Sequence, residues 1–277
     1  MNRQSQWLFE APFVVEPVPT PGDLADLVTE IFRRRGKRDN KNQGIVLSVV
    51  QVSSADGGAL IDTRTEMGTK RPVLKNPPAR VVMPAEVWEI EWKPKKGRPL
   101  KLRYVWILSN EKSTFPVGGV LFLPFLGPHI FHLVTFNTGS LEDRTCTNVH
   151  HAEMHATGSF PDRKGFIEAQ PKLWQSRVGA INIWNLSRKK GLGYSPCNYC
   201  CEDLARFLTN LRALGPSTAR RASITWLNLY DRNKPCGHPT DTANLRKLDA
   251  SGWVLKGEGW PPKSTPSSSP SRVRVAR

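Results

Sequence analysis

No stretch of this sequence is both long and uninterruptedly apolar. The most apolar one, Val117–Phe136, is broken by Pro124, Pro128, His129 and His132. It reads as two buried strands and not as one membrane-spanning helix. The chain does not open with a basic segment followed by an apolar run, so Met1–Glu10 is not read as a cleaved secretory signal. Cysteine is scarce, at five in 277 residues, an odd count with three clustered at Cys197, Cys200 and Cys201. That pattern points to metal or catalytic use in a reducing compartment rather than to a disulfide framework. Acidic residues are also in short supply: 24 against 40 Lys and Arg, a formal charge of +16. Such a surplus opposes compaction and leaves two readings, a polyanionic partner or a generally basic surface. Apolar residues are not short. At 39% hydrophobic and 9% aromatic the chain can build a core, which excludes wholesale disorder.

There is no internal repeat. Residues 1–80 read as an N-terminal extension, partly disordered and suited to delivery. Within it Pro17–Pro21 is turn-rich, Gly22–Arg35 reads as a short amphipathic helix, and Arg33–Arg38 is a basic run read as a solvated linker. Gly44–Ser53 (GIVLSVVQVS) has strand character, and Asp56–Pro84 is irregular. Val87–Trp92 and Leu100–Ser109 alternate and read as a hairpin, with Val117–Leu126 and His129–Asn137 as further strands. Past residue 148 helices and strands alternate: a helix starting in His150–Phe160, a strand Val178–Trp184, and a helix Cys197–Leu214 with Leu204, Phe207, Leu208, Leu211 and Leu214 on one face. A strand Ala222–Tyr230, a capped helix Thr240–Ala250 stopped by Gly252, and a short strand Trp253–Leu255 follow. The expected class is α/β: a mixed sheet of about five strands covered by helices, the last strands parallel, with an N-terminal extension. The main domain spans 81–260, and 261–277 (PPKSTPSSSPSRVRVAR) is a disordered basic tail.

His151-Ala152-Glu153 opens one expected helix and Pro196-Cys197-Asn198-Tyr199-Cys200 opens another. His-x-Glu followed by Pro-Cys-x-x-Cys is the signature of zinc deaminases. Cys197 and Cys200, three apart, share a face of a first helical turn, so both sulfurs can reach one ion. Pro196 lacks an N–H and suits a helix start. The positive end of the helix favours thiolate, the metal-binding form. With His151 as third ligand, a fourth tetrahedral position stays open to water, as in catalytic zinc sites. Glu153 would shuttle protons. Cys201 is an alternative i, i+4 ligand, less well matched to the motif. A metalloprotease motif needs Glu directly after the first His, where Ala152 stands. A structural zinc knuckle of Cys197, Cys200, Cys236 and His238 is the competing metal reading.

The run Tyr194-Ser195-Pro196-Cys197-Asn198-Tyr199-Cys200, then Leu204 and Phe207-Leu208, resembles the AID/APOBEC-like branch of the cytidine-deaminase superfamily. Leu229-Tyr230-Asp231 resembles that family's strand end and its loop beside the target base. Asn244–Leu248 and Gly252-Trp253 resemble its next helix and strand. The likeness covers residues 85–257, chiefly from 150 on. Tyr194 stands where that family usually has Trp, the Glu153–Cys197 interval is long, with Phe160–Arg177 as an insertion, and residues 1–80 have no counterpart. Those departures resemble a bacterial deaminase toxin, made in the bacterial cytoplasm, secreted or injected into target cells, and held by a cognate immunity protein.

The resemblance implies deamination of cytosine in single-stranded nucleic acid, DNA ahead of RNA, with zinc as cofactor. Tyr194, Ser195, Tyr230, Asp231 and Asn137 are the candidate substrate contacts. Arg188, Lys189, Lys190, Arg232 and Lys234 are candidate phosphate contacts, which would give salt-dependent affinity without base specificity. His150 and His155 are given no direct role. An adenosine or free-nucleoside deaminase and a non-enzymatic zinc-stabilised nucleic-acid-binding module are the alternatives. Nothing in the sequence fixes the oligomeric state.

Overall fold

The structure, a computed structural model, describes residues 20–25, 46–60, 81–82, 88–92, 100–110, 113–122, 126–137, 151–158, 164–187, 193–230, 240–258 and 260. It is an α/β fold: one mixed sheet flanked by helices. The strands are β1 (Val46–Ser54), β2 (Val81–Val82), β3 (Trp88–Trp92), β4 (Leu100–Asn110), β5 (Ser113–Phe122), β6 (Ile130–Phe136), β7 (Val178–Ser187), β8 (Arg221–Thr225) and β9 (Val254–Lys256). The helices are α1 (residues 21–25 of it described), α2 (Ala152–Thr157), α3 (Lys172–Gln175), α4 (Asn198–Arg212) and α5 (Thr242–Ala250). Among the described residues, no helix is long and apolar enough to cross a membrane.

The sheet runs β2-β4-β5-β6-β1-β7-β8-β9, with β3 also on β4. Two features depart from the expectation of about five strands over residues 81–260. Nine strands join one sheet among the described residues, because the β3–β4 hairpin and β5 extend it on the β6 side. And β1, assigned to the extension, lies at the centre, antiparallel to β6 on one side and β7 on the other. Its residues are apolar on both faces, with Leu47, Val49, Val50 and Val52 all buried, as a strand covered on both sides requires. The sheet therefore includes the chain from Val46 on. The last strands are parallel as expected, β7 to β8 to β9, joined through α4 and α5.

One face of the sheet packs on the helices. Val50, Val52, Phe131, Leu133, Ile181, Ile183 and Ile224 meet Leu204, Phe207, Leu208 and Leu211 of α4 and Leu245 and Leu248 of α5. The 3–4 spacing of the α4 residues lays them along one stripe, each worth about 1.5–3 kcal/mol when fully buried. Asp241 caps α5 by accepting from the Asn244 N–H at 2.7 Å. Gly252, at φ 98°, turns the chain from α5 into β9, a conformation that favours glycine. The segment read as an insertion carries Phe166 and Ile167 into the same core.

The two sheet faces each carry one polar row across the strands. On the helix-covered face Thr135, Ser48 and Asn185 are paired neighbours on β6, β1 and β7. On the opposite face His132, Gln51, Asn182 and Ser223 are paired neighbours on β6, β1, β7 and β8.

Candidate metal centre

The site forms where the starts of α2 and α4 meet. His151 is the N-cap of α2 and Cys197 the N-cap of α4, both with extended backbone. Pro196 thus stands one residue before the cap and not inside the first turn, and Cys200 falls three residues after Cys197, on the same side. Neither N-cap side chain makes a capping hydrogen bond. Helix α2 starts within the expected His150–Phe160 and runs six residues, the chain turning extended at Gly158 (φ −75°, ψ 159°).

The side chains converge closely. His151 Nδ1 lies 3.1 Å from Cys200 Sγ and 3.4 Å from Cys197 Sγ, and the two sulfurs are 3.7 Å apart. This group could bind a metal ion: three donor atoms from two helix starts face one point. Both cysteines are buried, and Met154 and the half-buried Tyr230 pack against them. The thiols are driven in opposite directions. Hydrogen bonding from the Cys200 thiol, with the His151 ring, holds Cys197 well below the usual thiol range. Burial, with the charge on Cys197, pushes Cys200 well above it. A bound cation would favour the thiolate form of both cysteines.

Glu153, next but one to His151, is buried in α2. Burial raises its carboxyl above the ordinary range, opposed by the His151 charge and by hydrogen bonds to its own backbone N–H and to Cys200. A carboxyl displaced upward from its ordinary value sits closer to neutrality, where an acid–base group works best. Cys201 is not in the ligand group; its thiol donates to the Pro196 carbonyl at 3.7 Å, and burial pushes it up. His155, one turn beyond His151, is buried, and burial lowers it to about 3.

Tyr194 and Tyr230 stand edge to face, centroids 6.0 Å apart at 89°. The strand ends at Thr225, short of the expected Tyr230, and Asn228 instead bridges to Tyr194. Ser195 takes a structural place in this loop. Its buried hydroxyl accepts from the Tyr230 N–H at 2.9 Å and donates to Thr240 Oγ1 at 2.7 Å; Thr240 donates on to the Pro196 carbonyl. The hydroxyl is thereby spent on joining the two loops at the site, leaving it little to offer a substrate. Asn137 lies at the end of β6 with its side-chain oxygen 2.7 Å from the Ala152 N–H, between His151 and Glu153. Asp231, Arg188, Lys189, Lys190, Arg232 and Lys234 lie outside the described residues, as do His150, Cys236 and His238.

The sequence reading missed two threonines. Thr240 ties the loops, and Thr135 donates to the Ala152 carbonyl at 2.6 Å. Thr135 shares a strand face with Asn137, two residues on, which period-2 alternation makes visible; the target on α2 is not. In comparisons with known proteins, the chain matches no family model, no curated protein and no solved structure.

Proposed function

We propose that the protein is a zinc-dependent deaminase converting cytosine to uracil in single-stranded nucleic acid, DNA ahead of RNA. The observation that carries this reading is the spacing of the three donors. Tetrahedral zinc, with bonds of about 2.3 Å to sulfur and about 2.0 Å to nitrogen, sets edges of about 3.8 Å between sulfurs and about 3.5 Å from nitrogen to sulfur. The observed 3.7, 3.4 and 3.1 Å fall within about half an ångström of those edges. A thiolate–imidazole set suits zinc, and three protein donors leave room for a reactant.

When bound, zinc supplies Lewis-acid activation of water at neutral pH. Glu153 takes the proton from the attacking water and passes it to the ring nitrogen of the base. As the new C–O bond forms and the exocyclic C–N bond breaks, a proton delivered through Glu153 leaves with ammonia. Its burial keeps bulk water from competing for that proton. Tyr230, packed on the ligand cysteines, and Tyr194, edge-on to it, supply aromatic surface for an unstacked base. The +16 charge supports a polymeric anion over a free nucleoside. In this reading the chain is a toxin effector, and its immunity partner would be a small acidic protein.

The test is sequencing of single- and double-stranded DNA and RNA after incubation with the zinc-loaded protein, beside assays on free cytidine and adenosine. C-to-T change in single strands is expected. The variant Glu153→Ala should lose at least about 100-fold in rate while mass spectrometry still finds one zinc per chain. A-to-G change, change in free nucleosides only, or no change anywhere would overturn the reading, as would a Glu153→Ala variant of near wild-type rate.

A further inference from the structure

His151 and Cys197 occupy the positions where a helix normally places its capping side chain, and both side chains turn to the metal group instead. The first N–H groups of α2 therefore need a donor-matching partner from elsewhere. Strand β6 supplies it. Asn137 Oδ1 accepts from the Ala152 N–H at 2.7 Å, and the Thr135 hydroxyl donates to the Ala152 carbonyl at 2.6 Å. These bonds fall on consecutive peptide planes. One plane joins His151 to Ala152 and the other joins Ala152 to Glu153. Both planes that carry a functional side chain are thus pinned to one strand.

We propose that Thr135 and Asn137 are positioning residues that set the direction of the His151 imidazole and the Glu153 carboxyl, and so the metal affinity of the site. The inference rests on the metal-site reading above and adds to it the part of the sheet that holds the site in shape. The surrounding structure is built for stiffness. Thr135 is fully buried, β6 is locked to central β1 over seven residue pairs, and Ala152 is fully buried too. Thr135 also belongs to the polar row whose other end reaches the second ligand segment. Ser48 donates to Asn185 Oδ1 at 2.7 Å, and Asn185 Nδ2 donates to the Tyr194 carbonyl at 3.1 Å, just ahead of Pro196 and Cys197. One row of the sheet thus touches the backbone on both sides of the metal group, at Ala152 and at Tyr194. Rows deeper in the same face, such as Leu133, Val50 and Ile183, are wholly apolar and reach neither. Partners behind metal ligands commonly fix ligand orientation, and removing one typically costs about 10–100-fold in affinity.

The experiment measures zinc affinity of the full chain by competition with a chelating dye, and the visible spectrum of the cobalt-loaded protein, for Thr135→Val, Asn137→Ala and the double variant. Thr135→Ser and Asn137→Asp keep the hydroxyl donor and the side-chain acceptor. Ser223→Ala, which removes a hydrogen bond on the opposite sheet face, reports the effect of a general loss of stability; each melting temperature is recorded alongside. Thr135→Val and Asn137→Ala should each weaken zinc binding about 10-fold or more and alter the cobalt spectrum. Thr135→Ser and Asn137→Asp should recover most of the affinity, and Ser223→Ala should leave it at the wild-type value. Wild-type affinity and spectrum in both Thr135→Val and Asn137→Ala would overturn the positioning role while leaving the metal site standing. So would a loss shared equally by Ser223→Ala. A wild-type chain that takes up no metal would overturn the site reading itself, and with it this inference.

Discussion

The three neighbouring cysteines show how position outweighs residue type. Cys201 follows Cys200 by a single helical step, yet only Cys197 and Cys200 face His151. Cys201 points back to the carbonyl of Pro196, and its buried thiol stays protonated. A protonated, carbonyl-bonded thiol behaves as a small apolar side chain and not as a ligand. Cys201→Ala should therefore keep one metal ion per chain, with stability lowered by about 1 kcal/mol for the lost packing and weak bond. Cys200→Ser should lose metal under the same conditions. Elemental analysis of the purified variants, with urea unfolding for stability, decides it; a metal-free Cys201→Ala would move the third ligand. The motif spacing already favoured Cys200. What the spacing did not show is why Cys201 is disqualified, since its carbonyl partner is a matter of how the chain enters α4. Ser195 is the opposite case. Its place in the motif suggested a substrate contact, but its hydroxyl is consumed by the Tyr230 and Thr240 loops, which are 35 and 45 residues away in sequence.

At the scale of elements, periodicity reports what a segment is and says little about its neighbours. The α4 stripe and the β7 run were legible because burial of one helix face or one strand face leaves a direct mark on the sequence. Strand β1 was legible in the same way, but its place was not. Its partners, β6 and β7, lie some 80 and 130 residues further on, and nothing in an apolar run names the strand it will pair with. The Gly- and Pro-rich stretch that follows it, Asp56–Pro84, reads as irregular and separates β1 in sequence from the strands it joins. Its central position has a sharp consequence. Deleting residues 1–80 removes β1, the strand that β6 and β7 share among the described residues, and exposes the edge each turns to it. Both ligand helices rest on those strands or on the core they define. A chain of residues 81–277 should thus show no cooperative thermal transition and no stoichiometric metal uptake. Circular dichroism melting and metal analysis of that fragment provide the check, and a cooperatively melting, metal-loaded fragment would return β1 to the extension.

Across the whole molecule the sheet separates two tasks by face. The row Thr135–Ser48–Asn185 reaches the backbone beside the candidate metal group, at Ala152 and Tyr194, while the row on the other face forms a continuous hydrogen-bonded ladder over four strands. Ser223 donates to Asn182 Oδ1 at 2.7 Å, Asn182 Nδ2 to Gln51 Oε1 at 3.1 Å, and Gln51 Nε2 to His132 Nε2 at 3.2 Å. Every step follows from the one before, because each amide that accepts on its oxygen must donate from its nitrogen. The ladder ends by requiring a lone pair on His132 Nε2, which leaves the ring proton on Nδ1, where it has no hydrogen-bond partner among the described residues. Protonating Nε2 would set two donors face to face inside a buried site. Burial alone already depresses His132 to about 4. An unfolded chain takes up that proton near pH 6.5, so between pH 6.5 and about 4 the unfolded state binds more protons than the folded one. The stability at stake is fully present above pH 6.5 and is lost as pH falls, by about 2 kcal/mol at pH 5. Because the ladder joins β6, β1, β7 and β8, the loss should appear in global unfolding and not as local fraying. Urea unfolding at pH 7 and pH 5 should show the wild type losing about 2 kcal/mol more than His132→Gln, which keeps an acceptor for Gln51 but cannot titrate. Parallel losses in the two proteins would mean that His132 is either charged in the fold or open to solvent, and the acid sensitivity would then have to be sought among the carboxylates.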